Sequence, residues 1–136
     1  MLGVVVVSHG ELAAGLVDSA RFIIGDGIEQ LVPCCLQKED TTARFQDKVK
    51  EAIAKADKGD GVIILLDMAG GTTYRETVMV ADNDTPIIGG VNLPLLMEVL
   101  IGRMGRKDNM ESLMEKGRRS IIDVWQYLGE HVTSEE

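Results

Sequence analysis

Two rhythms of apolar residues alternate along the chain. Residues 2–7 and 62–66 are unbroken aliphatic runs, without the polar alternation of a half-exposed strand, so each predicts a strand buried on both faces, as in a parallel sheet. Between them the period changes. Leu12, Ala13, Leu16, Val17, Ala20, Ile23 and Ile24 recur at helical spacing and Gly25 stops the pattern, predicting a helix over 11–24. A shorter run at 31–36 contains Pro33, which cannot donate to a ladder and marks an edge or irregular strand. Thr41 or Thr42 then caps a helix whose stripe is Phe45, Val49, Ala52, Ile53 and Ala56, ending near Gly59.

Beyond 62–66 the order repeats: a helix over about 73–81, a strand over 86–91, and a helix opening at Pro94 with Leu95, Leu96, Val99, Leu100 and Met104 on its apolar side. Strands alternating with helices across short loops predict an α/β fold, a three-layer doubly wound sheet of four parallel strands. Asn109 caps a further helix over 110–118, with Leu113 and Met114 inward and Arg118-Arg119 at its carbonyl end. Residues 120–128 fit two patterns. Ile121, Ile122, Val124, Trp125 and Tyr127 read as a final strand, while 121, 124, 125 and 128 also share a helical face. Residues 1–128 thus form one domain, and 129–136 a polar tail.

Composition narrows the picture. A chain of 136 residues and 14.8 kDa exposes roughly 21,000 Å² unfolded and about 7,000 Å² folded, enough burial for a core without disulfides or a structural metal. With 4% aromatic residues and 7 Met, that core is aliphatic and sulfur-rich. The net charge of −8 argues against nucleic acid and anionic membranes as partners. The apolar runs fall far short of the roughly 20 residues of a membrane helix. No basic residue precedes the first run, so a cytoplasmic location is expected. Cys34 and Cys35 are neighbours and His9 and His131 lie far apart, a pattern that offers neither a disulfide framework nor metal-ligand spacing; no metal or cofactor is expected.

In an open α/β sheet, ligands bind beyond the carboxyl ends of the strands, where strand order reverses. Three such ends carry polar groups: Ser8-His9-Gly10, Asp67 with Gly70-Gly71-Thr72, and Asn92. Histidine can accept and pass on a proton or a phosphoryl group near neutral pH. An adjacent Asp can hold the proton on one ring nitrogen and leave the other as nucleophile. Glycines admit backbone N–H groups to an anion, and Thr72 would cap a helix whose N-terminus favours a phosphate. Gly-Gly-Thr matches neither the P-loop nor the dinucleotide-binding pattern.

Three segments together resemble a known family: Val-Val-Val-Ser-His-Gly-Glu-Leu-Ala-Ala-Gly-Leu at 5–16, Leu-Leu-Asp-Met-Ala-Gly-Gly-Thr at 65–72, and Gly-Val-Asn-Leu-Pro-Leu-Leu at 90–96. The chain is similar, from about residue 2 to 128, to the mannose-family IIA components of the bacterial phosphoenolpyruvate-dependent sugar phosphotransferase system. The resemblance implies that His9 takes a phosphoryl group on Nε2 from the phosphocarrier protein HPr and passes it to a IIB component during sugar uptake through a IIC/IID permease. It further implies that Asp67 bonds Nδ1 and that the protein is a homodimer exchanging a final antiparallel strand, which favours the strand reading of 120–128. The residues expected to bind the phosphoryl group are Gly10, Gly70, Gly71 and Thr72. A regulatory module without onward transfer, and the carrier subunit of a dihydroxyacetone kinase system, are the rival readings. One departure stands out: where the family usually has Pro, an aromatic and a small or polar residue, this chain has Thr73, Tyr74 and Arg75. Thr73 is expected to loosen the first position of the third helix.

Overall fold

A computed structural model describes residues 1–103 and 109–135. Its elements follow the order β1 (Gly3–His9), α1 (Leu12–Ile24), β2 (Leu31–Leu36), α2 (Thr42–Ala56), β3 (Val62–Leu66), α3 (Gly71–Val80), β4 (Ile87–Gly89), α4 (Leu93–Gly102), α5 (Met110–Arg119) and α6 (Val124–Glu135). The four strands form one parallel sheet in the order β2-β1-β3-β4. Pro33 sits in the edge strand β2, opposite Val6, where a missing N–H costs least.

The aliphatic runs are buried on both faces because both are covered. Val4, Val6, Ile63 and Leu65 pack with Val17 and Ala20 of α1, Leu96 and Val99 of α4, and Leu113 of α5. On the other face Val5, Val7, Ile64 and Leu66 pack with Phe45, Val49 and Ala52 of α2 and with Val80 of α3. This division places α1 and α4 on one side and α2 and α3 on the other, as right-handed crossovers require once the chain reverses direction across the sheet. The reversal falls between β1 and β3, so the carboxyl ends of these two strands border the crevice where this architecture binds ligands.

The boundaries differ from expectation at informative places. β4 ends at Gly89 rather than near 91, because the Gly90 and Val91 N–H groups both donate back to the Leu66 carbonyl, at 3.0 and 2.9 Å. α3 opens at Gly71 rather than at Thr73. Thr41 is the residue that caps α2, its hydroxyl accepting from the Arg44 N–H at 3.1 Å. Met104, expected on the apolar side of α4, lies outside the described residues.

The larger correction is at the C-terminus. Residues 121–123 have no regular structure and 124–135 are helical, so the antiparallel fifth strand favoured for 120–128 is replaced by a helix. Asp123 decides this locally. Its carboxylate accepts from the Gln126 N–H at 3.1 Å and its carbonyl from the Tyr127 N–H at 2.9 Å, an N-cap arrangement. The helix also runs through the boundary between 128 and 129 that composition suggested.

Candidate functional site

β1 delivers His9 to the rim with its backbone fixed by its neighbours. The buried Ser8 hydroxyl donates to the Gly10 carbonyl at 2.9 Å and accepts from the Ala13 N–H at 2.7 Å. It thereby ties the strand end to the first turn of α1, whose own cap residue, Glu11, makes no side-chain cap bond. Gly10 turns the chain with φ of 56°, a left-handed conformation that costs glycine little, and its N–H donates to the Leu36 carbonyl at 2.8 Å.

Asp67 enters from the adjacent strand, its N–H extending the ladder to the Val7 carbonyl at 3.0 Å. The His9 Nδ1 lies 2.7 Å from Asp67 Oδ2, and the His9 backbone N–H donates to the same oxygen at 2.9 Å. On the opposite oxygen, Oδ1, the Met68 N–H and the Thr73 hydroxyl each donate at 2.9 Å. The carboxylate is nearly enclosed, its side chain 8% exposed, whereas that of His9 is 45% exposed. Burial alone would push the Asp67 carboxyl up. The donations from the His9 N–H, the His9 ring and the Thr73 hydroxyl outweigh it and hold the group below its ordinary range.

A carboxylate that only accepts requires a proton on the Nδ1 facing it. In the neutral ring this places the lone pair on Nε2, and Gly71 lies alongside that edge. A Cβ built on Gly71 would stand 3.4 Å from both His9 Cε1 and Nε2, and the φ of 81° there is again left-handed. No side chain caps α3, so its first-turn N–H groups, from Gly71 onward, lack intrahelical partners and face the rim with the positive end of the helix dipole. His9, Gly10 and Thr72 line one open cleft of about 650 Å³, completed by Leu36 at the end of β2 and by Gln37 and Thr41 of the β2–α2 connection. A second cleft, of about 600 Å³, lies against Met1 at the start of β1 and is lined mainly by Ile24, Ile28, Leu100 and Ile101.

His9, Gly10, Asp67, Gly70, Gly71 and Thr72 therefore belong to one rim, though not all in the expected roles. Thr72 is half-buried and caps nothing; Gly70 occupies the cap position of α3. Thr73 is the third residue of that helix rather than the first, and it secures Asp67 instead of loosening the turn. Arg75 is mostly exposed and pairs with the buried Glu76 at 3.1 Å. Asn92 is committed elsewhere: its Oδ1 accepts from the Leu95 N–H at 2.9 Å and its amide donates to the Gly117 carbonyl at 2.9 Å, joining α4 to the end of α5.

Fold and site define an α/β domain that presents an oriented histidine at the switch point of a parallel sheet. The chain belongs to the EIIA-man family: the family model described as the PTS system fructose IIA component matches residues 3–117. It is 28% identical to the PTS system fructose-specific EIIA component of Bacillus subtilis, over 97% of this chain and 90% of that one. The same identity links it to the PTS system mannose-specific EIIAB component of Escherichia coli, over 75% of this chain and 32% of that longer one. A crystal structure of the PTS IIA protein associated with the fucose utilization operon from Streptococcus pneumoniae superposes with a TM-score of 0.82 at 27% identity, over 93% of this chain and 95% of that one. The mannose/sorbose specific IIA subunit from Enterococcus faecalis has the same fold, with a TM-score of 0.74 at 20% identity over 90% and 93% of the two chains. The protein is thus a IIA component of the mannose family, a class of sugar phosphotransfer carriers. Among the described residues no helix is long and apolar enough to cross a membrane.

Proposed function

We propose that His9 is the transient phosphoryl carrier, accepting the group from phospho-HPr and handing it to a IIB component that serves a IIC/IID permease, in the cytoplasm. The observation that carries this reading is the 2.7 Å contact between His9 Nδ1 and a nearly buried Asp67, with Nε2 of the half-exposed ring beside Gly71. In the transfer, the Nε2 lone pair attacks phosphorus, a new N–P bond forms as the donor's bond to phosphorus breaks, and the proton stays on Nδ1. The positive charge that the phosphorylated ring acquires is met by Asp67. Gly10, Gly70, Gly71 and Thr72 border the phosphoryl group, and the uncapped N–H groups of α3 stabilise its oxygens. The backbone can come this close because residue 71 has no side chain.

A homodimer is part of the same reading. Ile121, Val124, Trp125 and Leu128 expose between 42% and 83% of their surface, and a neighbouring subunit would cover an apolar segment of this kind.

The test is reconstitution. With phosphoenolpyruvate, enzyme I and HPr, the wild-type protein should take up an acid-labile phosphoryl group and lose it on addition of a IIB domain. Retention of label by His9→Ala would reject the assignment of the carrier residue. Uptake without discharge to any IIB domain would favour a regulatory module.

A further inference from the structure

Asp67 is held from two sides. Oδ2 faces His9, while Oδ1 faces α3 and accepts from the Thr73 hydroxyl and the Met68 N–H, each at 2.9 Å. Thr73 is fully buried, so its hydroxyl has no solvent to turn to, and a buried hydroxyl needs its partner as much as the partner needs it. With both Oδ1 donors in place, the carboxylate cannot rotate without abandoning them. Its second oxygen is therefore kept where it meets the imidazole.

We propose that Thr73 is a positioning residue for phosphoryl transfer: its hydroxyl locks the Asp67 carboxylate, which in turn keeps the His9 proton on Nδ1 and leaves Nε2 free as nucleophile. Among the described residues, the titratable group in contact with this carboxylate is the His9 ring from β1. On α3, Arg75 pairs with Glu76, and Glu76 also accepts from Gln46 of α2 at 2.7 Å, so those charges have partners of their own. Without the hydroxyl, Oδ1 keeps only the Met68 N–H, the carboxylate rocks, and the Nε2–H tautomer gains population. The kinetic consequence rests on the carrier reading of His9. The tautomer does not, because it can be read in the unphosphorylated protein alone.

The experiment compares wild type, Thr73→Val and Thr73→Ser by 15N NMR of the imidazole nitrogens and by the rate of phosphoryl uptake from phospho-HPr across pH. Wild type and Thr73→Ser should hold the Nδ1–H tautomer, and Thr73→Val should show a raised share of Nε2–H. Uptake should slow about tenfold in Thr73→Val and return to within about twofold in Thr73→Ser, as expected for one hydrogen bond to a charged group. The acid limb of the Thr73→Val profile should move to higher pH, because a donor that holds the carboxyl down has been removed. If Thr73→Val does not fold, the pair Thr73→Ser and Thr73→Ala, which both lose the methyl group, isolates the hydroxyl in the same way. Wild-type tautomer and wild-type rate in the hydroxyl-free variant would overturn the proposal, as would equal impairment of Thr73→Ser. Absence of phosphate on His9 in the wild type would sink the carrier reading, while the tautomer comparison would still decide the role of Thr73.

Discussion

The Asp67 carboxylate accepts four hydrogen bonds, two from His9 and two from the turn into α3, and each favours its ionised form. Its pKa in the folded protein lies below the unfolded value of about 3.9. It therefore contributes stability that is present in full above the unfolded value and lost as pH falls through the folded one. Asp67→Asn should remove this contribution, so that acid unfolding of the variant begins at lower pH than expected from wild type once their neutral-pH stabilities are matched. More severely, an asparagine amide that donates toward His9 favours the wrong tautomer, and phosphoryl uptake should fall by at least about a hundredfold; wild-type rates would remove the orienting role. His9 and Asp67 were both legible in the sequence, because a polar residue closing a buried aliphatic run must stand at the carboxyl end of a strand. Thr73 was not. Its role depends on α3 opening at Gly71, which makes it the third residue of that helix, its hydroxyl 2.9 Å from Asp67 Oδ1, and the pattern of residues did not fix that start.

At the scale of elements, β1 and α1 are joined by the Ser8 hydroxyl rather than by the cap residue. Ser8→Ala should leave the Ala13 N–H without its acceptor and destabilise the fold by about 1 kcal/mol, seen as a lower urea midpoint at unchanged slope. The opening of α3 is constrained from a different direction. Gly71→Ala introduces a Cβ at 3.4 Å from the His9 ring and at a left-handed φ, costing about 1–2 kcal/mol in backbone strain and displacing the phosphoryl group, so a folded variant with wild-type uptake would contradict the placement. The helices and strands around these points followed from periodicity, since each buries a continuous face. β4 came out shorter than its apolar run because both N–H groups beyond it turn to one carbonyl, a three-dimensional contact that hydrophobicity does not encode. The segment 120–128 satisfied two periods at once, and Asp123 supplied the deciding cap.

For the whole molecule, surface and charge carry the argument. Ile121, Val124, Trp125 and Leu128 leave a run of apolar side chains open to solvent, Trp125 at 83% and Ile121 at 79%, the kind of surface that a neighbouring subunit covers. Sedimentation at micromolar concentration should find a dimer, and Trp125→Glu should weaken it; a wild-type monomer would contradict the subunit proposal. With the proton kept on Nδ1, phosphorylation makes the net charge of −8 more negative by about one, since the phosphoryl oxygens bring about −2 and the ring gains +1. Asp67 meets the ring charge, while the phosphoryl dianion stands on an acidic protein, which favours handing the group on. The parallel, doubly wound sheet was legible from the order of elements, whereas the strand order that sets the switch point was not, nor was the path of the C-terminal helix, since its apolar side chains find little cover within the one chain.

In the proposed transfer, His9 offers Nε2 while Asp67 holds Nδ1. Phosphorylation of 15N-labelled protein by phosphoenolpyruvate, enzyme I and HPr, followed by NMR of the histidine nitrogens, distinguishes the two ring positions. One acid-labile phosphoryl group on Nε2 of His9, absent in His9→Ala, is the expected result. Phosphate on Nδ1, or on any residue other than His9, would contradict the account.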